Sequence, residues 1–332
     1  MSVRVRRRIR SGSFGLPYQR VAPSNSGDFG NKILTVNRTY VPSTYDTNNQ
    51  TVSIDFRLSY RIHNQDLLTS GNAPLILLHG GPSIPSNYLQ SSAAALSKER
   101  SVITYDHIGC GSSSEPSDIN AYSIDFAVDD LFALVKHLQL KEFHILGHSF
   151  GGIIGFEFMK RLLSDMEAPG ETKCLSLSLL STPFSVKEVD QESEMVLKCF
   201  ENENISAQDA SSLFQKSHVC RVTGDDTLPS ALREAYSKRG KVWQGTEVIQ
   251  DYVANMAQKL HHEFPHILLL RGEHDFVSNT HAITEWSSLM TSHGCKTIQH
   301  ATLPGCSHYS MLENEKLFSC KLMSFLVQIE NI

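Results

Sequence analysis

Short apolar runs alternate along the chain with stretches whose apolar residues recur every three to four positions. Residues 33–41 and 52–62 are β-branched and alternate in character, which predicts two strands of a hairpin across the polar segment 43–50. Runs at 74–78, 102–105, 143–146, 176–180 and 267–270 are continuously apolar, and a last strand is expected near 296–303. Such runs suit strands covered on both faces, as in a parallel sheet. Helical spacing lies between them at 88–98, 124–138 and 151–163. In the second of these, Ile124, Val128, Leu131, Phe132, Val135 and Leu138 fall on one face. Strand-helix-strand alternation predicts an α/β fold with helices on both faces of a mostly parallel, twisted sheet.

That rhythm breaks over 185–262, where polar residues dominate and helical spacing persists without strand-like runs. A helical cap inserted over the carboxyl edge of the sheet is the expected organisation. The boundaries are then 1–30 for a basic, disordered N-terminal segment, 31–184 and 263–332 for the two parts of the core, and 185–262 for the cap.

Charge adds one feature. The 332 residues carry 30 Lys plus Arg and 35 Asp plus Glu, a net charge of -5. Six arginines lie within residues 1–20, and removing them leaves 24 basic against 35 acidic residues. An Arg-rich, acid-poor start fits a transit segment or a solvated basic arm. It brings no aromatic or motif signal for nucleic acid, so no nucleic-acid partner is expected. No run of about 18 apolar residues occurs, so no stable membrane insertion is expected either. Seven scattered cysteines without a Cys-x-x-Cys pair suit reduced thiols. Together these point to the cytoplasm, or to an organelle if the basic start is a transit segment.

Candidate chemistry sits at strand ends. Gly147-His148-Ser149-Phe150-Gly151 follows an apolar run and precedes a helical pattern, the context of a nucleophile elbow. A serine hydroxyl needs a base, and the base an orienting acid. Asp275, after the run 267–270, and His308, after the last strand, are the candidate acid and base; Glu273 is the rival acid. His79-Gly80-Gly81-Pro82 ends another strand and offers the N–H of Gly81, with that of Phe150, as an oxyanion hole. His262-Glu263-Phe264-Pro265-His266 has the letters of a zinc-protease motif, but Pro265 interrupts the helix that motif requires. No metal or cofactor is expected.

With Tyr105-Asp106-His107-Ile108-Gly109-Cys110-Gly111-Ser112-Ser113 added to His79–Pro82 and the elbow, the chain resembles the α/β-hydrolase superfamily, and within it the proline iminopeptidase family of serine peptidases. The resemblance runs over about 45–330 and is strongest over 74–160. It implies the α/β-hydrolase fold and release of an N-terminal proline or other small residue from peptides or amides, without a cofactor. It also implies acidic residues around the substrate ammonium, one from the cap and often one directly after the catalytic Asp. Glu247 resembles the former. Phe276 stands where the latter would be, and Ser83 and His107 replace the family's usual Gly and Gln. Glu247, Gly80 and Phe276 are the candidate substrate-binding residues. Esterase or amide hydrolase activity on a neutral small molecule is the alternative.

Overall fold

The computed structural model describes residues 30–43, 50–69, 71–165, 172–201, 205–221, 228–243, 248–295 and 297–331. The expected N-terminal segment and Glu247 lie outside them, apart from Gly30.

Among the described residues, eight strands form one sheet in the order β1-β2-β4-β3-β5-β6-β7-β8. They are β1 (Lys32–Tyr40), β2 (Val52–His63), β3 (Asn72–Leu78), β4 (Arg100–Tyr105), β5 (Glu142–His148), β6 (Lys173–Leu180), β7 (His266–Gly272) and β8 (Ile298–Leu303). β1 and β2 pair antiparallel, as do β2 and β4; every other pairing is parallel. The apolar runs explain the arrangement. All six residues of β4 are buried, as are the last five of β3, because helices cover both faces there. Edge strand β1 has a covered side only on one face, and its pattern mixes buried and exposed positions accordingly.

Alternate residues of β3 show the two-sided packing directly. Ile76 and Leu78 join a cluster with Val128 and Leu131 of α2 (Ile124–His137), Ile153 of α3 (Phe150–Ser164) and Trp286. Leu75 and Leu77 join the opposite cluster with Leu96 of α1 (Gln90–Leu96) and Phe318, Leu322 and Phe325. Those last residues belong to the long C-terminal helix described below. The α2 helix forms where its spacing predicts. Ser123 caps it by accepting the N–H of Phe126, and Lys136 and His137 lie in the last turn, where the helix dipole favours positive charge. The helix expected from residue 88 begins instead as a 3-10 turn (Ser86–Leu89) that buries Tyr88 and continues into α1.

Between β6 and β7 come α4 (Val186–Glu201), α5 (Ala207–Phe214), a π-helical turn (Gln215–Val219) and α6 (Ser230–Ser237). Helical character is expected up to residue 262, but among the described residues no α-helix follows Ser237 before β7. Beyond Ser237 part of the described backbone bonds to core loops: the N–H of Gly240 donates to the Ser83 carbonyl at 2.9 Å. A Cβ on Gly240 would lie 1.6 Å from the Gly109 carbonyl oxygen, so only glycine fits this approach. Trp243 then seals the contact, donating from its indole N–H to the Ile108 carbonyl at 2.7 Å. An antiparallel bridge, Ser185 to Val253, closes the base of the excursion.

The chain ends in α7 (Thr280–Ser292), which carries Trp286, a short α8 (Ser310–Glu313) and the long α9 (Glu315–Glu330). Glu330 at the end of α9 grips Arg100 at the start of β4 with two hydrogen bonds, of 2.8 and 2.9 Å. The same carboxylate accepts from the Ala73 N–H and contacts His144. No described helix is long and apolar enough to cross a membrane.

Candidate active site

Ser149 occupies the turn between β5 and α3 with φ 52° and ψ −119°. A non-glycine residue held at positive φ costs about 1–3 kcal/mol and persists only where its surroundings enforce it. They do so here. The Ser149 N–H donates to the Leu180 carbonyl at 2.9 Å, fastening the elbow to the neighbouring strand. A Cβ on Gly147 would lie 2.3 Å from the Gly151 carbonyl oxygen, and one on Gly151 would lie 2.3 Å from that of Leu78. The flanking glycines thus let the strand and the helix pass close enough to make the turn.

Asp275 and His308 come from loops that follow β7 and β8, 33 residues apart in sequence, and meet with His308 Nδ1 3.0 Å from Asp275 Oδ1. Asp275 is buried, and burial alone would raise its pKa. The adjacent His308 imidazole and its hydrogen bond outweigh that effect and hold the carboxyl below its ordinary value. The carboxyl is therefore ionised and accepts from Nδ1–H, which leaves His308 Nε2 as the basic nitrogen. The same Oδ1 accepts the N–H of Val277 at 3.0 Å. The rival, Glu273, is exposed and accepts the N–H of Gly305 at 2.8 Å. The geometry brings Asp275, and not Glu273, to His308.

After β3, the buried His79 locks the approach to Gly81. Its Nδ1 lies 2.8 Å from the Gly80 carbonyl, and its Nε2 accepts the His107 N–H at 2.9 Å. Burial lowers the pKa of His79, keeping the ring neutral as that acceptor role requires. Gly81 has φ 128°, where a side chain would be strained. Neither the Gly81 N–H nor that of Phe150 makes a backbone hydrogen bond among the described residues. The N–H of Gly80, by contrast, is taken by the Tyr88 hydroxyl at 2.6 Å. Gly80 acts through its lack of bulk, since a Cβ there would stand 3.0 Å from Ser149 Cβ and from His148 Nδ1.

Phe276 is half-buried, its ring 4.9 Å from that of Phe214 and 5.9 Å from that of His308. His262 lies in the irregular approach to β7 and His266 opens that strand, so the two do not share a helical face.

A family model described as alpha/beta hydrolase fold matches residues 73–315, well over half of the chain. This chain belongs to the α/β-hydrolase family. Curated relatives of the hydrolase include the proline iminopeptidase of Clostridioides difficile (strain 630), 41% identical over 98 residues, which are 30% of this chain and 33% of that one. The proline iminopeptidase of Lacticaseibacillus rhamnosus (strain Lc 705) is 32% identical over 153 residues, 46% of this chain and 49% of the relative. These matches span a third to about half of the relatives' length. A crystal structure of the proline iminopeptidase of Mycobacterium smegmatis superposes with a TM-score of 0.66 at 21% identity, covering 89% of this chain and 98% of that one. It shows that the fold is shared.

Several residues around the hydrolase's site escape sequence reasoning. His218 and Val219, in the π-helical turn, offer their carbonyls to the N–H groups of His308 (3.2 Å) and Tyr309 (3.1 Å). Backbone acceptors carry no side-chain signature. Tyr88 and His148 are legible only as an aromatic in a polar stretch and as the variable residue of the elbow.

Proposed function

We propose that this hydrolase is a serine hydrolase that works through an acyl-enzyme and releases an N-terminal proline or other small residue from peptides or amides. The reading rests on the 3.0 Å pairing of His308 Nδ1 with Asp275, on the same edge of the sheet as a serine held at positive φ. Ser149 Oγ attacks the carbonyl carbon while His308 Nε2 takes its proton. The developing oxyanion accepts from the N–H groups of Gly81 and Phe150. His308 then passes the proton to the departing amine. Water attacks the acyl-enzyme by the same route, regenerating Ser149. Asp275 holds the imidazole in the tautomer this sequence needs. Residues 185–262 act as a cap over the site, with Glu247 as the partner of the substrate ammonium. Small soluble peptides or amides, met in the cytoplasm, are the substrates in this reading.

A second reading, esterase or amide hydrolase on a neutral small molecule, is favoured by one observation. Phe276 and Phe214 set an apolar wall beside His308, directly after Asp275. An ammonium held there would lose water without gaining a carboxylate.

Turnover of a prolyl-arylamide, its amine-blocked analogue and an acetyl ester separates the two. Hydrolysis of the free-amine arylamide, with the preference over the blocked form lost in Glu247→Gln, is expected. Ester turnover without arylamide turnover would leave only the second reading. Labelling of the wild type by a fluorophosphonate, lost in Ser149→Ala, is expected in both; an unlabelled wild type overturns both.

A further inference from the structure

Three loops converge on the site, after β3, β5 and β8, and one line of buried hydrogen bonds joins them. The Gly80 N–H donates to the Tyr88 hydroxyl at 2.6 Å. That hydroxyl lies 2.8 Å from His148 Nδ1, and His148 Nε2 lies 3.0 Å from the carbonyl oxygen of His308. Tyr88 and His148 have no exposed surface. Only one placement of protons satisfies every atom. A ring nitrogen facing a carbonyl has to carry hydrogen, so His148 Nε2–H donates to His308. Its Nδ1 is then an acceptor, Tyr88 donates to it, and the hydroxyl oxygen is left to accept from Gly80. The ring must be neutral, and burial, then the nearby His308, push its pKa well below the ordinary histidine value.

We infer that Tyr88 and His148 are positioning residues that set the oxyanion loop, the nucleophile elbow and the base relative to one another. The inference rests on the serine-hydrolase reading. Gly80 directly precedes Gly81, His148 directly precedes Ser149, and the third anchor is the carbonyl of His308 itself. A buried polar line of this kind holds its members in one geometry only while every member is satisfied. Ring packing supports the same grouping: Tyr88 meets His148 edge-on at 5.5 Å, and His148 lies 4.7 Å from His308.

Tyr88→Phe keeps the ring and removes the hydroxyl. His148→Gln keeps an amide able to reach the His308 carbonyl and loses the acceptor facing Tyr88. Both cut the same link, so they form a double-mutant cycle. The readout is kcat for 4-nitrophenyl acetate, counted per site titrated by a fluorophosphonate so that unfolded protein drops out. Each single variant is expected to lose about 10- to 100-fold in kcat with KM within about threefold, as misplacement near an ångström does. The double variant is expected to fall no further than the worse single one. Effects that multiply, or a Tyr88→Phe kcat within twofold of wild type, overturn the inference. Should Tyr88→Phe fail to fold, His148→Gln alone tests the same link by the same criterion. A wild type that is not labelled at all would refute the serine-hydrolase reading instead, so the two failures are distinguishable.

Discussion

Asp275 concentrates the physics of the site in one side chain. It is buried, yet its pKa lies below the ordinary value because an imidazole faces it. Removing the charge while keeping the shape should therefore damage the tautomer of His308 more than its position. Asp275→Asn is expected to lower kcat by about 10³–10⁴-fold with little change in melting temperature, whereas Glu273→Gln should leave kcat within about twofold. Steady-state kinetics with either the ester or the arylamide checks both. At this scale much could be read from the sequence: Gly-x-Ser-x-Gly after an apolar run, and an acid and a histidine after later runs, mark positions where a parallel sheet gathers its loops. What could not be read are partners set by tertiary proximity. Arg38 and Asp130, separated by 92 residues, form a buried pair at 2.5 Å, although Asp130 reads as a polar residue of an amphipathic helix.

The elements followed the period of their apolar residues where packing is regular and departed from it where backbone groups found partners elsewhere. Strands β3 to β7 lie on or near their continuous apolar runs, because a strand covered on both faces has to be apolar throughout, whereas β1 and β2 form on alternating segments. The stretch after Ser237 departs because Gly240 and its neighbours spend their hydrogen bonds on core loops, an exchange that no local spacing reveals. The end of α9 illustrates a second long-range dependence. Burial would raise the pKa of Glu330, but its bonds to His144 and Arg100 bring it down to about 2. A folded value below the unfolded one stabilises the protein above about pH 4.5, and that contribution disappears as pH falls from there toward 2. Glu330→Gln should therefore cost about 2–3 kcal/mol in urea unfolding at pH 7, and the gap from wild type should close between pH 4.5 and 2.5. A gap that does not change with pH would mean that the carboxylate contributes only packing.

Across the molecule, the described part of the excursion between β6 and β7 is joined to the core where the chemistry is proposed. It supplies carbonyls to the His308 loop and lays Gly240 against the Gly109 carbonyl. The sequence contains two tryptophans, and they report separately: Trp243 on this excursion and Trp286 in α7. In the wild type, single-tryptophan variants (Trp243→Phe and Trp286→Phe) are expected to melt at one temperature. Gly240→Ala, whose Cβ cannot fit, should lower stability by about 2–4 kcal/mol and make the Trp243 signal change before that of Trp286. Coincident melting in Gly240→Ala would show that the contact does not hold the two parts together. The Arg100–Glu330 clasp carries a different consequence, one of time. Its partners are 230 residues apart, so during synthesis the guanidinium waits for its carboxylate. At about 5–20 residues per second the wait is on the order of 10–50 s. Through that interval the amino ends of β3 and β4 carry a buried-to-be cation whose partner already made, among the described residues, is the carbonyl of Ala73. The centre of the sheet is thus completed late, after nearly all of the chain that surrounds it has been made.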